Sequence, residues 1–135
     1  MEDKVKFLLD NYGQDDQRTQ VWHTKRGQML TASEIWKTVK DATPAMRREL
    51  MVSKLTPRVE STGPGARALL WGTRFEPIAK DIYSILHDVD ITDTSCVPHP
   101  VHSFLGASPD GLITSSGNRF GNLVEFKCPI SRVFD

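Results

Sequence analysis

Two extended segments joined by a turn constrain this chain more than any other feature. The first is Phe104-Leu-Gly-Ala-Ser-Pro-Asp-Gly-Leu-Ile113 and the second Asn122-Leu-Val-Glu-Phe-Lys-Cys-Pro129. Residues 123–127 alternate, so side chains at 123, 125 and 127 leave one face and those at 124 and 126 the other. Val124 and Phe126 suit a core, and Glu125 and Lys127 then project together on the opposite side. In the first segment Pro109 keeps Ser108 extended, and Gly111 lets the backbone turn or pack closely behind Asp110. Between the segments, Thr114-Ser-Ser-Gly-Asn-Arg119 is a hairpin signal. An antiparallel hairpin is expected to bring Asp110 towards Glu125 and Lys127.

Two carboxylates and a lysine in that arrangement suit metal-assisted phosphodiester hydrolysis. Mg²⁺ takes oxygen ligands, commonly one or two carboxylates with waters and substrate oxygens, and it polarises phosphate and activates water. Asp110 and Glu125 offer the carboxylates, and Lys127 can orient a water or offset charge developing on phosphate. An isolated Glu-x-Lys on a strand is ordinarily a surface ion pair; the S-P-D-G element one hairpin earlier is what changes the balance.

S-P-D-G followed by E-F-K resembles the signature of the PD-(D/E)xK nuclease superfamily. More closely, G-A-S-P-D-G-L and V-E-F-K-C-P resemble the lambda-exonuclease and YqaJ-type viral recombinase (alkaline exonuclease-like) family, over roughly residues 18–132. The motifs are specific in combination and weak singly. The resemblance implies an α/β, restriction-endonuclease-like fold: a small mixed sheet flanked by helices, in one nuclease domain over residues 1–135. It implies Mg²⁺ as cofactor, with Mn²⁺ as a substitute, held by Asp110, Glu125 and the Phe126 carbonyl with help from Glu76. It also implies a DNA exonuclease acting 5′ to 3′ on duplex DNA, in recombination or DNA processing. A single-strand annealing protein and a second copy of the chain are the implied partners. The alternatives are an endonuclease of resolvase or restriction type in the same superfamily, and a DNA-binding module whose catalysis has lapsed.

The family also carries an R-x-G-x-x-T-A-S-like element, which here reads Arg26-Gly-Gln-Met-Leu-Thr-Ala-Ser33. Arginine offers a planar donor fork suited to phosphate. Ser33 is expected at a helix start, where free N–H groups favour anions. With Ser108, two residues before Asp110, these form an expected 5′-phosphate pocket, to which Arg132 adds a donor. Taken alone, the element reads as a loop arginine and a capping serine.

The 135 residues suffice for one domain with a core. Hydrophobic content of 39% and charged content of 25% fit a globular chain. No apolar run is long enough to span a membrane, and the acidic start Met1-Glu-Asp-Lys is unlike a signal peptide. An intracellular location, nuclear or cytoplasmic, is therefore expected. Cys96 and Cys128 are too few for a disulfide framework or for four iron–sulfur ligands. Net charge is zero, but residues 1–16 sum to −3, residues 17–80 to +7 and residues 81–135 to −4. The basic middle suits either a phosphate backbone or solvated helix faces.

Helices are expected at residues 3–12, about 32–40 with Thr31 or Ser33 as cap, and about 44–54 with Thr43 as cap. Residues 66–89 carry the strongest helical period, with Trp71, Phe75, Ile78, Ile82, Ile85, Leu86 and Val89 on one face. Gly72, Glu76, Ala79 and Tyr83 form a second stripe with one acid in it. Thr73-x-x-Glu76 is also a capping box, and Pro77 cannot donate to the Thr73 carbonyl, so the residues also allow a helix that starts at Arg74. The resemblance favours a longer, kinked helix and a functional Glu76. His87, Asp88, Asp90 and Asp93 lack the spacing of a zinc site, and residues 90–93 are expected to start an edge strand. The family's further helix and strand do not follow Lys127. The fold is thus expected to be incomplete at its C-terminus, with an open sheet edge, part of an apolar face uncovered, and marginal stability or self-association.

Overall fold

The computed structural model describes residues 1–13, 17–56 and 63–131. They form α1 (Glu2–Tyr12), α2 (Gln20–Gly27), β1 (Leu30–Thr31), a 3₁₀ turn (Ile35–Lys37), α3 (Pro44–Leu55), α4 (Pro64–His87), β2 (Ile91–Thr92), β3 (Val97–Pro98), β4 (Leu105–Ala107), β5 (Gly111–Ile113) and β6 (Leu123–Val124). The chain is α/β, with small sheets and helices around them, and it divides into two units: Met1–Arg58 with Asp93–Pro109, and Val59–Thr92 with Asp110–Asp135.

The first unit holds α1 to α3 and a mixed sheet in the order β1-β4-β3. Strand β1 runs parallel to β4, pairing Leu30 with Leu105 and Thr31 with Gly106, while β3 runs antiparallel to β4. The backbone approach at Gly106 is close: a Cβ there would stand 2.9 Å from Met29 Sδ, which can yield, and 3.3 Å from the Val97 carbonyl oxygen. Thr19 caps α2 by accepting from the Trp22 N–H at 3.3 Å. Thr43 caps α3 by accepting from Met46 N–H at 3.2 Å, with Pro44 in the first turn. Val5, Trp22, Ala42, Leu50 and Cys96 are buried here, together with Thr31, Thr94 and Ser95.

The second unit holds α4 and an antiparallel sheet in the order β2-β5-β6. Its centre is Leu112 and Ile113, both fully buried. Gly111 is required by packing rather than by a turn: a Cβ on it would overlap Ile91 Cγ2 and press on Val124 Cγ2 at 3.2 Å. The turn conformation belongs instead to Gly117 and Gly121, whose φ values are +138° and +80°. Strand β2 is the expected edge strand after Asp90, and Thr114 N–H donates to the Asp90 carbonyl at 2.9 Å.

Four expectations are corrected or decided. One mixed sheet becomes two sheets, because the segment 104–113 is two strands: β4 joins one sheet and β5 the other, with Pro109, which has no N–H to give a ladder, between them. The helix over 32–40 is a single 3₁₀ turn, Ile35–Lys37. There Thr38 Oγ1 donates to the Ile35 carbonyl at 2.7 Å, and Glu34 turns its carboxylate back to Thr31. Both compete with helix propagation. Strand 123–127 pairs only through Val124, although exposure keeps alternating through Cys128. The long helix is the observed alternative at residues 64–87: it runs through Thr73 and Pro77 without a new start, and ends at Asp88, whose φ of 50° is left-handed. Among its described residues none is buried, so the apolar face Ile78, Ile82, Ile85 and Leu86 is open.

Candidate active site

The hairpin β5–β6 builds an acidic site within the second unit. Asp110 N–H donates to the Val124 carbonyl at 3.1 Å and Ile113 N–H to Asn122 at 2.9 Å, which fixes Asp110 opposite the residues just past β6. Its Oδ2 accepts from the Phe126 backbone N–H at 2.5 Å. Phe126 thus meets Asp110 through its N–H; its carbonyl, the expected metal ligand, takes no part in that contact. Glu125 and Lys127 flank Phe126 on the exposed side, and Lys127 Nζ is ion-paired with Glu125 Oε1. The alternation over 123–127 therefore sets this pair, as the sequence suggests, even beyond the paired strand.

Burial pushes the Asp110 carboxyl above its usual range, against the opposing Phe126 N–H. The negative charges of Glu125 and Glu76 push the same way, and Lys127 opposes them. The hydrogen bond that Lys127 donates to Glu125 raises the ammonium most; burial opposes it, and the charges of Glu125, Asp110 and Glu76 add to it. Glu76 on α4 therefore acts on both groups. Two further side chains hold α4 to the hairpin. Arg119, in the turn, donates to Tyr83 Oη at 2.5 Å, and Tyr83 meets the Phe126 ring edge-on with centroids 5.8 Å apart. Tyr83 belongs to the same stripe as Glu76. Its signal was its place in that stripe; Arg119 gave none.

Asp110, Glu125 and Glu76, whose charges reach one another, suit a hard divalent cation, which would offset the part of the Asp110 rise that comes from its two acidic neighbours. Among the described residues no three His, Cys, Asp or Glu side chains converge as a ready metal cluster. Glu125 Oε1 instead engages Lys127, so a cation held there would compete with Lys127 for that oxygen. His99 is used within its own loop, its Nδ1 accepting from the N–H groups of Val101 and His102 at 3.2 and 3.1 Å.

The first unit builds a second cluster. Arg26, at the end of α2, donates through Nη1 to Ser108 Oγ at 3.1 Å and through Nη2 to Ser33 Oγ at 3.2 Å and Thr31 Oγ1 at 3.3 Å. Arg26, Ser33 and Ser108 are thus brought together; Arg132 lies outside the described residues. Thr31 and Trp22 belong to the cluster as well. Trp22 stands one helical turn before Arg26, and the guanidinium carbon lies 4.6 Å from its ring centroid. That i, i+4 spacing and the threonine of T-A-S were the available signals. Ser33 precedes only a 3₁₀ turn, so the helix-start argument for its anion preference does not apply.

A buttress stands behind this cluster. Glu34 Oε2 accepts from the Thr31 hydroxyl at 2.6 Å and the Thr31 N–H at 3.2 Å, and pairs with Lys54 at 2.8 Å. Lys54 also donates to the Arg26 carbonyl at 3.0 Å. Burial pushes the Glu34 carboxyl upward, but Lys54 and Thr31 outweigh it and hold it below its usual range.

The chain spans only part of its relatives. It is 29% identical to an alkaline exonuclease from Laribacter hongkongensis, with a TM-score of 0.65 over 84% of this chain and 55% of that one. A structure of that exonuclease in complex with dAMP matches at 28% identity and a TM-score of 0.64 over the same shares, 84% and 55%. An uncharacterised protein of Acanthamoeba polyphaga mimivirus is 28% identical across 93% of this chain, which is 24% of that protein. Residues 21–135 match the YqaJ-like viral recombinase domain. With Arg26, Ser33, Glu76, Asp110, Glu125 and Lys127 all inside that match, the chain belongs to the YqaJ-like viral recombinase family.

Proposed function

We propose that this chain carries the catalytic centre of a Mg²⁺-dependent DNA exonuclease, with Mn²⁺ as a substitute cation, acting 5′ to 3′ on duplex DNA in recombination or DNA processing. The observation that carries the reading is Asp110, partly buried and hydrogen-bonded to Phe126 N–H, within the fields of both Glu125 and Glu76. The family and the similarity to one alkaline exonuclease, also solved in complex with dAMP, support it.

Asp110 and Glu125 would hold the cation, with Glu76 adding charge from α4 and the Phe126 carbonyl an oxygen ligand. When bound, the cation polarises the phosphodiester and activates water. Phe126 N–H fixes one Asp110 oxygen and so orients the other. Lys127, released from Glu125, offsets negative charge developing on the phosphate or orients the water. Arg26, Ser33 and Ser108 bind a 5′-terminal phosphate, with Arg132 as a further donor. The proposal extends to one nuclease domain, an intracellular site of action, and as partners an annealing protein and further copies of the chain. No helix among the described residues is long and apolar enough to cross a membrane.

The test compares linear and covalently closed circular duplex DNA in Mg²⁺ with an EDTA control. Metal-dependent loss of the linear substrate alone supports the reading. Cutting of the circle indicates an endonuclease, and DNA binding with no cutting at any Mg²⁺ or Mn²⁺ concentration indicates a binding module.

A further inference from the structure

Beside the Arg26 cluster stands an aromatic surface that neither group of residues above uses. Trp36 lies in the 3₁₀ turn, three residues past Ser33, and is 50% exposed. A lone exposed tryptophan has no special meaning. This one is fixed in place: its Nε1–H donates at 3.0 Å to the carbonyl of Ser33, the residue whose hydroxyl accepts from Arg26. That bond uses the only donor an indole has, so what it offers a ligand is its ring face. The Lys37 ammonium lies 5.5 Å from the ring centroid and is held by Glu49 at 2.7 Å. Trp22, by contrast, is buried and already faces the Arg26 guanidinium.

We infer that Trp36 is a stacking platform for the base of the end nucleotide of a DNA strand whose terminal phosphate sits on Arg26, Ser33 and Ser108. The inference rests on the phosphate reading proposed above. Ser33 links the two functions, its hydroxyl facing the phosphate donors and its carbonyl tethering the indole. A phosphate and its own base are separated by one sugar, so a platform anchored on the residue that helps hold the phosphate is suitably placed. Aromatic platforms next to cationic groups are a general solution for strand binding, and they tolerate any sequence because every base has a π-face. The conformation of residues 33–38 serves this role: one 3₁₀ turn holds Trp36 near Ser33, with its ring closed back on the Ser33 carbonyl.

The test uses short duplexes in EDTA carrying 2-aminopurine as the 5′-terminal or the third nucleotide, with a 5′-phosphate or a 5′-hydroxyl. Wild type should quench the terminal probe when the end is phosphorylated and leave the third-position probe much less affected. Trp36→Ala should lose that quenching and bind the phosphorylated end about tenfold more weakly, while Trp36→Phe, which keeps a ring face but loses the Nε1–H tether, should recover part of both. A phosphate preference that survives in Trp36→Ala with unchanged quenching and affinity overturns the platform but leaves the phosphate site standing. Absence of any phosphate preference in the wild type overturns both. Trp36→Phe, which keeps an aromatic ring, guards against loss of folding: an unfolded Trp36→Ala beside a folded Trp36→Phe that neither quenches nor binds would also sink the platform.

Discussion

Asp110 Oδ2 accepts the backbone N–H of Phe126 at 2.5 Å, and this bond ties one carboxylate to the strand segment that carries Glu125 and Lys127. The carboxylate is therefore structural and, in the proposed function, a metal ligand. The two roles separate by substitution. Asp110→Asn keeps an oxygen acceptor for Phe126 and removes the charge, so its thermal transition should stay near wild type. Calorimetric titration with Mn²⁺ should show binding lost in Asp110→Asn/Glu125→Gln, and cleavage should fall by at least about a hundredfold. Equal Mn²⁺ binding by wild type and the double variant would remove the metal site.

Lys127 makes a different prediction, because it pairs with the same Glu125 that is proposed to hold the cation. Lys127→Met frees Glu125. Cation affinity in this variant should hold or tighten, while turnover drops by about a hundredfold or more through the lost charge at the phosphate. Weakened cation binding, or loss of the cooperative unfolding transition, would mark Lys127 as a structural residue.

The Glu34–Lys54 pair gives a pH-dependent stability. Glu34 titrates lower in the folded chain than in the unfolded one. Its contribution is therefore complete above the unfolded glutamate range of about 4.3 and is lost as pH falls through the lower folded value. Glu34→Gln should lower the melting temperature at pH 7, and the gap from wild type should close below about pH 4. A gap that stays constant from pH 7 to pH 3 would show that the charge on Glu34 contributes nothing.

Close packing behind Asp110 is testable at Gly111. Gly111→Ala should destabilise the chain by about 1–3 kcal/mol, because the new methyl overlaps Ile91 in the neighbouring strand. Adding Ile91→Ala should recover part of that loss. An unaltered unfolding midpoint in Gly111→Ala would mean that the neighbouring strand yields freely.

What the sequence disclosed followed the range of each signal. Caps are local, so Thr43 and Pro44 marked the start of α3 correctly. Alternation is local too, and it set Glu125 and Lys127 on one side even where ladder bonds end at Val124. Competition was harder to read. The carboxylate of Glu34 accepts from Thr31 N–H as in a helix cap, yet the helix expected over 32–40 stops after one turn, where Thr38 and Lys54 engage the same segment. Periodicity grouped the apolar residues of α4 on one face but carried no information about what covers it, and that face is open in this chain. The division into two sheets turned on Pro109, whose missing donor was legible; the strand each flanking segment would join was not.

The final prediction concerns the end of the DNA strand. The Arg26 guanidinium lies over the Trp22 ring, and its two outer nitrogens already reach three hydroxyls, those of Ser108, Thr31 and Ser33. The Thr31 proton goes to Glu34, but the Ser33 and Ser108 hydroxyls can accept from the guanidinium and donate to a phosphate at the same time, so the fork and these two serines form a preorganised set of donors. Behind it, Lys54 bonds the Arg26 carbonyl and Glu34 holds Thr31, which limits how far the fork can move. A terminal phosphate carries more charge than an internal one and gains more from such a set. Wild type should therefore degrade duplexes with 5′-phosphate ends faster than those with 5′-hydroxyl ends. Loss of one charge-assisted contact costs about 1.5–3 kcal/mol, so Arg26→Ala should slow the phosphorylated substrate roughly tenfold to a hundredfold. The hydroxyl-ended substrate should change much less, and Mn²⁺ binding should be unaffected. Arg26→Lys should recover little, since a point charge cannot span three acceptors as the planar fork does. Equal wild-type rates on both ends would remove the pocket and shift the reading of the whole site towards internal cleavage.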